Sequence, residues 1–180
     1  MGYTTDFCGQ FEVSPPMKKE HKDYLNEFNG TRRMARDAEK AEKMSDPIRI
    51  AAGLPIGQRG EYFVGNGENN PDRPKGNRMD SFAGQQHDES ILDYNLPPAN
   101  QPGLWCQWHV SEEGSIEWDG GEKFYYYVDW LEYLIKHFLE PWGYKINGEV
   151  TWEGEESDDL GKIVVEDNNV TTLRGTVYYE

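Results

Sequence analysis

Acidic side chains in the second half of the chain form the densest group of chemically active residues. Five of the seven residues from Glu153 to Asp159 are Asp or Glu. A hairpin loop exposed to water is the default interpretation of such a run. A calcium site is weakly supported, because a calcium loop alternates its acids and places glycine at the sixth position. The third interpretation is mimicry of nucleic acid, because carboxylates at successive positions on one strand face lie about 7 Å apart, close to the phosphate interval.

The distribution of charge favours a protein partner over a metal. Residues 91–180 contain eighteen Asp and Glu against five Lys and Arg, a net charge of −13, whereas residues 1–90 have a net charge of −2. A surface this negative repels nucleic acid and anionic membranes and attracts proteins rich in Lys and Arg. We therefore expect no metal or cofactor. The predicted partner-binding carboxylates are Glu149, Glu153, Glu155, Glu156, Asp158, Asp159, Glu166 and Asp167.

A second group of residues has the composition of a thiol active site. It comprises His87, Asp88, Glu89, Asp93, Cys106 and His109. Cysteine with histidine as base is the chemistry of a thiol nucleophile. If Cys106 faces inward on a strand, however, His109 points to the other face. We therefore interpret Cys106, like Cys8, as a buried structural thiol. A small enzyme with a pocket near Asp93, Trp105 and His109 is the alternative.

The periodicity of apolar residues predicts an α+β domain spanning all 180 residues. The expected fold is an antiparallel sheet of about five to six strands with two main helices. Strands are predicted at 3–13, 104–110, 115–118, 144–152, 160–165 and 170–179. The first main helix should follow Ser14 and end at Gly30. The second should contain residues 127–138 and end before Pro141.

Two stretches are less regular. Residues 31–44 are predicted to form a helix with a basic, water-exposed face, or a patch that pairs with the acidic half. Residues 47–102 hold seven of the ten prolines. We interpret them as a long irregular loop or insertion, containing a loop at 66–78 and one short strand at 61–64.

Several segments resemble a group of uncharacterised proteins encoded by tailed bacteriophages and prophages. They are DESILDYNLPP at 88–98, QPGLWCQW at 101–108, WDGGEKFY at 118–125, GEVTWEGEESDD at 148–159 and GKIVV at 161–165, with further similarity over 1–36. No activity is assigned to that group. The resemblance implies a phage protein that works in the cytoplasm of a bacterial host. The absence of a charged-then-apolar leader agrees with this expectation.

The leading functional hypothesis is therefore an acidic phage accessory protein that binds a basic host protein. Its most concrete form is inhibition of a nucleic-acid-binding or defence factor by charge mimicry, an idea that rests on analogy. A homo-oligomeric structural or virion-associated protein, with exposed tyrosines at its interface, is another alternative.

Overall fold

A computed structural model describes residues 2–65 and 88–180 of the chain. The elements are β1 (Thr5–Ser14), α1 (Lys19–Asn29), β2 (Ala35–Arg36), α2 (Ala38–Glu42), α3 (Pro47–Ala51), a 3-10 turn (Gln58–Gly60), β3 (Ile91–Asp93), β4 (Trp108–Val110), β5 (Ile116–Trp118), α4 (Tyr127–Leu134), a π-helical turn (Ile135–Leu139), β6 (Lys145–Gly154), β7 (Leu160–Glu166) and β8 (Asn169–Arg174). They fall into two compact units. We call residues 1–17 with 107–180 the sheet unit, and residues 18–106 the loop unit.

The sheet unit confirms the predicted α+β class. Its six antiparallel strands lie in the order β4-β5-β1-β6-β7-β8. The longest pairing joins β1 to β6 over ten residues, from Thr5 opposite Gly154 to Ser14 opposite Lys145. Gly9 has a φ of 114°, and a Cβ there would collide with the carbonyl of Glu149. This is the close backbone approach that a glycine inside a strand indicates.

Helix α4 covers one face of this sheet, which we call the inner face. Trp108 Nε1 donates to the carbonyl of Tyr127 at 2.8 Å, and the Tyr127 ring lies 4.8 Å from that of Phe7. The edge-to-face geometry of these rings adds to the stabilisation from burial. The core therefore combines the buried side of α4 with alternate residues of the strands: Phe11, Trp108, Ile116, Ile146, Val150, Trp152, Ile163 and Val165.

The predicted start of the first helix is wrong. Ser14 belongs to β1 because it pairs with Lys145, and α1 begins at Lys19. The predicted end at Gly30 is confirmed.

The predicted strand at 104–110 begins only at Trp108. Just before it, the backbone has other partners: Leu104 O accepts from Arg33 N, and Cys106 O accepts from the Asn29 side chain. Both bonds lie within the loop unit.

Buried arginines organise the loop unit, contrary to the prediction of an exposed basic helix at 31–44. Arg33 is 2% exposed and donates to the carbonyls of Glu61 and Phe63 at 2.6 and 2.9 Å. Arg36 is equally buried and donates to Asp88 at 2.7 Å. Buried carbonyls of irregular backbone need donors, and a guanidinium supplies several from one side chain. Only Ala38–Glu42 of the predicted helix is helical.

The irregular segment at 47–102 is partly confirmed. The loop unit has short elements there: α3, the 3-10 turn and β3, which pairs with β2. The predicted strand at 61–64 is a turn followed by irregular backbone. The predicted loop at 66–78 and His87 lie outside the described residues.

Candidate protein-binding surface

The face of the sheet opposite α4, which we call the outer face, is built by alternation along the strands. Residues directly opposite each other in antiparallel strands share a face. The register therefore places Asp6, Glu153 and Leu160 in one row across β1, β6 and β7. The next rows are Cys8, Thr151, Lys162 and Leu173; then Gln10, Glu149, Val164 and Thr171; then Glu12 with Asn147, and Glu166 with Asn169.

Three of the eight predicted carboxylates lie on this face, namely Glu149, Glu153 and Glu166, and all three are exposed. Sequence reasoning missed two further acids there, Asp6 and Glu12, which β1 contributes. They are separated from β6 by more than 130 residues, and only strand pairing brings them alongside it. Alternation within 3–13 could have placed them on the polar face, but not beside Glu153.

Asp6 and Glu153 form a pair of like charges directly across two strands. Side chains so placed have Cβ atoms about 5 Å apart, and like charges there destabilise the pairing. Both carboxylates are exposed, and neither accepts a side-chain hydrogen bond from the described residues. This arrangement leaves four acceptor oxygens facing water at one end of the sheet.

The β6–β7 loop adds acids at the same end. Glu155, Glu156 and Asp158 are exposed, and Glu155 accepts from the backbone N–H of Thr4 at 2.6 Å. The loop begins after Gly154, the last residue of β6, at the end of the sheet where Asp6 and Glu153 face each other. We call the five exposed residues of this region the acidic corner: Asp6, Glu153, Glu155, Glu156 and Asp158.

Asp159, which was predicted to face a partner, supports the loop instead. It is half-buried and accepts hydrogen bonds from the Tyr3 hydroxyl at 2.7 Å and from Trp152 Nε1 at 3.1 Å. Burial raises the pKa of nearby Tyr127, and the negative charge of Asp159 raises it further. A carboxylate with two internal donors is less available to an external cation than its neighbours.

The remaining predicted carboxylates lie away from the corner or are partly neutralised. Asp167 is in the β7–β8 turn, where its backbone N–H donates to Asn147 at 2.8 Å. Glu166 precedes that turn, about 20 Å from the corner along β7. Glu149 accepts from Lys162 Nζ at 3.0 and 3.1 Å. The eight residues therefore do not form one site, and five of them lie at one end of the sheet or in its loop.

The strand register also shows how the carboxylates are spaced, which decides whether they can imitate a row of phosphates along one nucleic-acid strand. On β6 the uncharged Thr151 separates Glu149 from Glu153, and on β1 Cys8 and Gln10 separate Asp6 from Glu12. Within the described strands, no two successive positions of the outer face are both acidic. The carboxylates gather across strands and in the loop, so a regular ladder along one strand is not the geometry of this surface.

A groove of about 800 Å³ lies on the outer face next to the acidic corner. Its walls include Cys8, Thr151, Leu160, Lys162, Leu173 and Val177, with Asp6 and Glu153 also lining it. Cys8 is exposed, so its predicted burial is wrong, because it occupies an outer-face position of β1. Cys106 is buried as predicted.

The residues of the alternative enzyme site are divided between the two units. His109 lies on β4 of the sheet unit, with Nε2 3.3 Å from Glu117 Oε1 on β5. Asp93 and Trp105 belong to the loop unit, where Asp93 accepts from the backbone N–H of Asn95 at 2.8 Å. Among the described residues, no group of three or more His, Cys, Asp and Glu side chains is arranged to hold a metal ion.

No protein-family model, curated protein or solved structure matches the chain. Among the described helices, none has both the length and the apolar character needed to cross a lipid bilayer.

Proposed function

We propose that the sheet unit binds a basic protein surface through the acidic corner. The observation that carries this proposal is the exposure of five carboxylates at one end of the sheet, two of them directly opposed. The sheet unit contains nineteen Asp and Glu against five Lys and Arg, a net charge of −14. Its field therefore favours cationic partners and speeds their encounter.

Arginine and lysine side chains of the partner suit the corner chemically. A guanidinium presents a planar fork of donors that can engage the oxygens of two neighbouring carboxylates. Placing such a cation between Asp6 and Glu153 would replace their repulsion by two attractions. The apolar side chains of the adjacent groove offer contact area for the aliphatic stems of the same residues.

The finer form of the proposal is that the partner is a host protein that holds nucleic acid or takes part in defence, in the bacterial cytoplasm. The resemblance to phage proteins and the negative field support it. The geometry of the corner supports mimicry of a local cluster of phosphates, in which a few acids replace a few phosphate groups.

A matched pair of variants tests the binding surface. The site variant carries Asp6→Asn, Glu153→Gln and Glu156→Gln. The control carries Glu113→Gln, Glu132→Gln and Glu140→Gln, which are exposed positions of the same unit. Both variants lose three negative charges, so they differ only in where the charge is removed.

Tagged wild type and both variants are used to capture proteins from phage-infected bacterial cells at about 0.05 M and about 0.5 M salt. We expect a cationic protein that wild type and control retain at low salt. The site variant should retain it about tenfold less, and high salt should release it, because exposed charges are screened. Equal retention by the site variant, or retention that salt leaves unchanged, would overturn the proposal. So would capture of no protein by the wild type.

A further inference from the structure

The outer edge of β8 is an open sheet edge. β8 is the last strand in the sheet order, and no strand of the described residues pairs with its second side. At the other end of the sheet, β4 has only three residues, whereas β8 has six. A long open edge presents unpaired N–H and C=O groups that can pair with another strand.

The pairing of β8 with β7 shows which backbone N–H and C=O groups of β8 point away from the sheet. The β7–β8 turn has two central residues, Asp167 and Asn168, with φ of 46° and 71°, as in a two-residue hairpin. Glu166 and Asn169 therefore form a hydrogen-bonded pair. Gly175 N donates to Leu160 O at 2.8 Å, as expected if every second residue of β8 after Asn169 forms hydrogen bonds with β7. Every second residue between these pairs turns its backbone groups outward. Those residues are Val170, Thr172 and Arg174.

The edge has few of the features that usually protect such a strand, because its one charged residue, Arg174, stands at the very end of β8. Residues 169–173 contain no charge and no proline, and three of the five are β-branched. Lysine, proline and bulges are the common means of blocking an edge. Leu173 and Val177 beside it are 49% and 40% exposed. A strand of this composition favours addition of a further strand.

The charge near this edge differs from that of the rest of the sheet unit. Residues 168–179 contain no Asp or Glu and one Arg, in a unit whose net charge is −14. Two copies of the unit therefore repel each other least where their β8 edges meet. Arg174 makes no hydrogen bond or ion pair with the described residues, so its charge is available at the edge.

We propose that β8 pairs antiparallel with β8 of a second copy, about a two-fold axis at Thr172, joining two six-stranded sheets. In this register Thr172 faces itself, Val170 faces Arg174, and Thr171 faces Leu173. No charged side chain faces another of the same sign in this register. Arg174 of each copy approaches the β7–β8 turn of the other copy, where Asp167 is exposed. An isologous pairing of this kind closes at two copies.

Sedimentation velocity on the full chain tests the pairing through the backbone. Wild type should sediment at twice the chain mass of 20.8 kDa. Thr172→Pro removes only an outward N–H, and prolines at such edge positions are tolerated. It should weaken the dimer at least about tenfold, because two central hydrogen bonds are lost. Thr172→Val keeps the N–H and should remain dimeric.

A charge exchange locates the axis even if the proline variant folds poorly. Thr172→Lys and Thr172→Glu should each weaken self-association about fivefold, because like charges then oppose each other. Mixing the two variants should restore dimers that contain one copy of each. A wild type that stays monomeric at high concentration, or lysine and glutamate variants that do not associate with each other, would overturn the proposal.

Salt separates this inference from the proposed function. Association of two acidic copies should strengthen as salt screens their repulsion, whereas binding of a basic partner should weaken. A dimer that dissociates with added salt would contradict the β8 pairing and leave the acidic corner unaffected.

Discussion

The sheet unit and the loop unit use charged residues in opposite ways. The loop unit has fourteen acids and thirteen bases, a net charge of −1, and several of its charged side chains are buried and hydrogen-bonded. Arg33, Arg36 and Arg49 are all under 10% exposed. The sheet unit carries a net charge of −14, and the carboxylates of its acidic corner are exposed. Buried charges form hydrogen bonds inside the loop unit, whereas the carboxylates of the acidic corner face water.

Replacing a buried arginine of the loop unit should destabilise the protein more than any other single change predicted below. Arg33→Met should lower the free energy of unfolding by about 3 kcal/mol, because the buried carbonyl of Phe63 and the side-chain oxygen of Gln101 lose a donor, and the carbonyl of Glu61 is left with Gln101 Nε2. Urea unfolding measures the change. Lys43→Met, at an exposed position of the same unit, should change it by less than about 0.5 kcal/mol. Similar small effects from both variants would show that buried arginines do not hold the loop unit.

A buried carboxyl group should make the stability of the loop unit depend on pH. Asp46 is buried; its Oδ2 accepts from Arg49 Nε at 2.9 Å, and its Oδ1 has no hydrogen-bond partner among the described residues. Burial raises the pKa of Asp46 above its usual 3.8, despite hydrogen bonds from Val64 and Arg49 that lower it. The folded state therefore holds this proton more tightly than the unfolded state.

The stability that this proton contributes is fully present below pH 3.8 and is lost as pH rises through the raised pKa. Asp46→Asn cannot titrate. The difference in unfolding free energy, wild type minus variant, should therefore fall with rising pH, by about 1.4 kcal/mol for every tenfold by which folding tightens the binding of this proton. Urea unfolding of both proteins across this pH range gives the difference. A constant or rising difference would contradict the assigned pKa direction.

The smallest expected effect lies in the acidic corner. Asp6→Asn should stabilise the sheet unit by about 0.2–1 kcal/mol, because it removes the repulsion from Glu153. The same substitution in a Glu153→Gln background should have almost no effect. A double-mutant cycle by thermal unfolding measures this coupling. Destabilisation by Asp6→Asn alone would mean that the carboxylate already has a favourable partner.

The sequence predicts the regular half of the fold well. Alternating apolar residues and compact turns indicate β5 to β8, and helical spacing with Pro141 indicates α4, because these signals are local. The loop unit is predicted poorly. An arginine normally indicates a surface position, and its burial depends on carbonyls about thirty residues away, such as those of Glu61 and Phe63. The helix predicted at 31–44 fails for this reason.

The candidate site was only partly predictable. The acids of the β6–β7 loop are conspicuous in sequence because four of the five residues from Glu155 to Asp159 are acidic. Asp6 is isolated in sequence and joins them through the pairing of β1 with β6. Asp159 is indistinguishable from Asp158 in sequence, and only the contacts with Tyr3 and Trp152 assign it a structural role.

A chemical-shift map of the isotopically labelled protein, titrated with a hexa-arginine peptide, tests binding at the acidic corner directly. If the acidic corner is the binding surface, the shifts will concentrate at Asp6, Glu153 and the β6–β7 loop, and they will disappear at about 0.5 M salt. Shifts of equal size at Glu113, Glu132 and Glu140 would show that the negative field is uniform over the sheet unit. That result would contradict a binding surface located at the acidic corner.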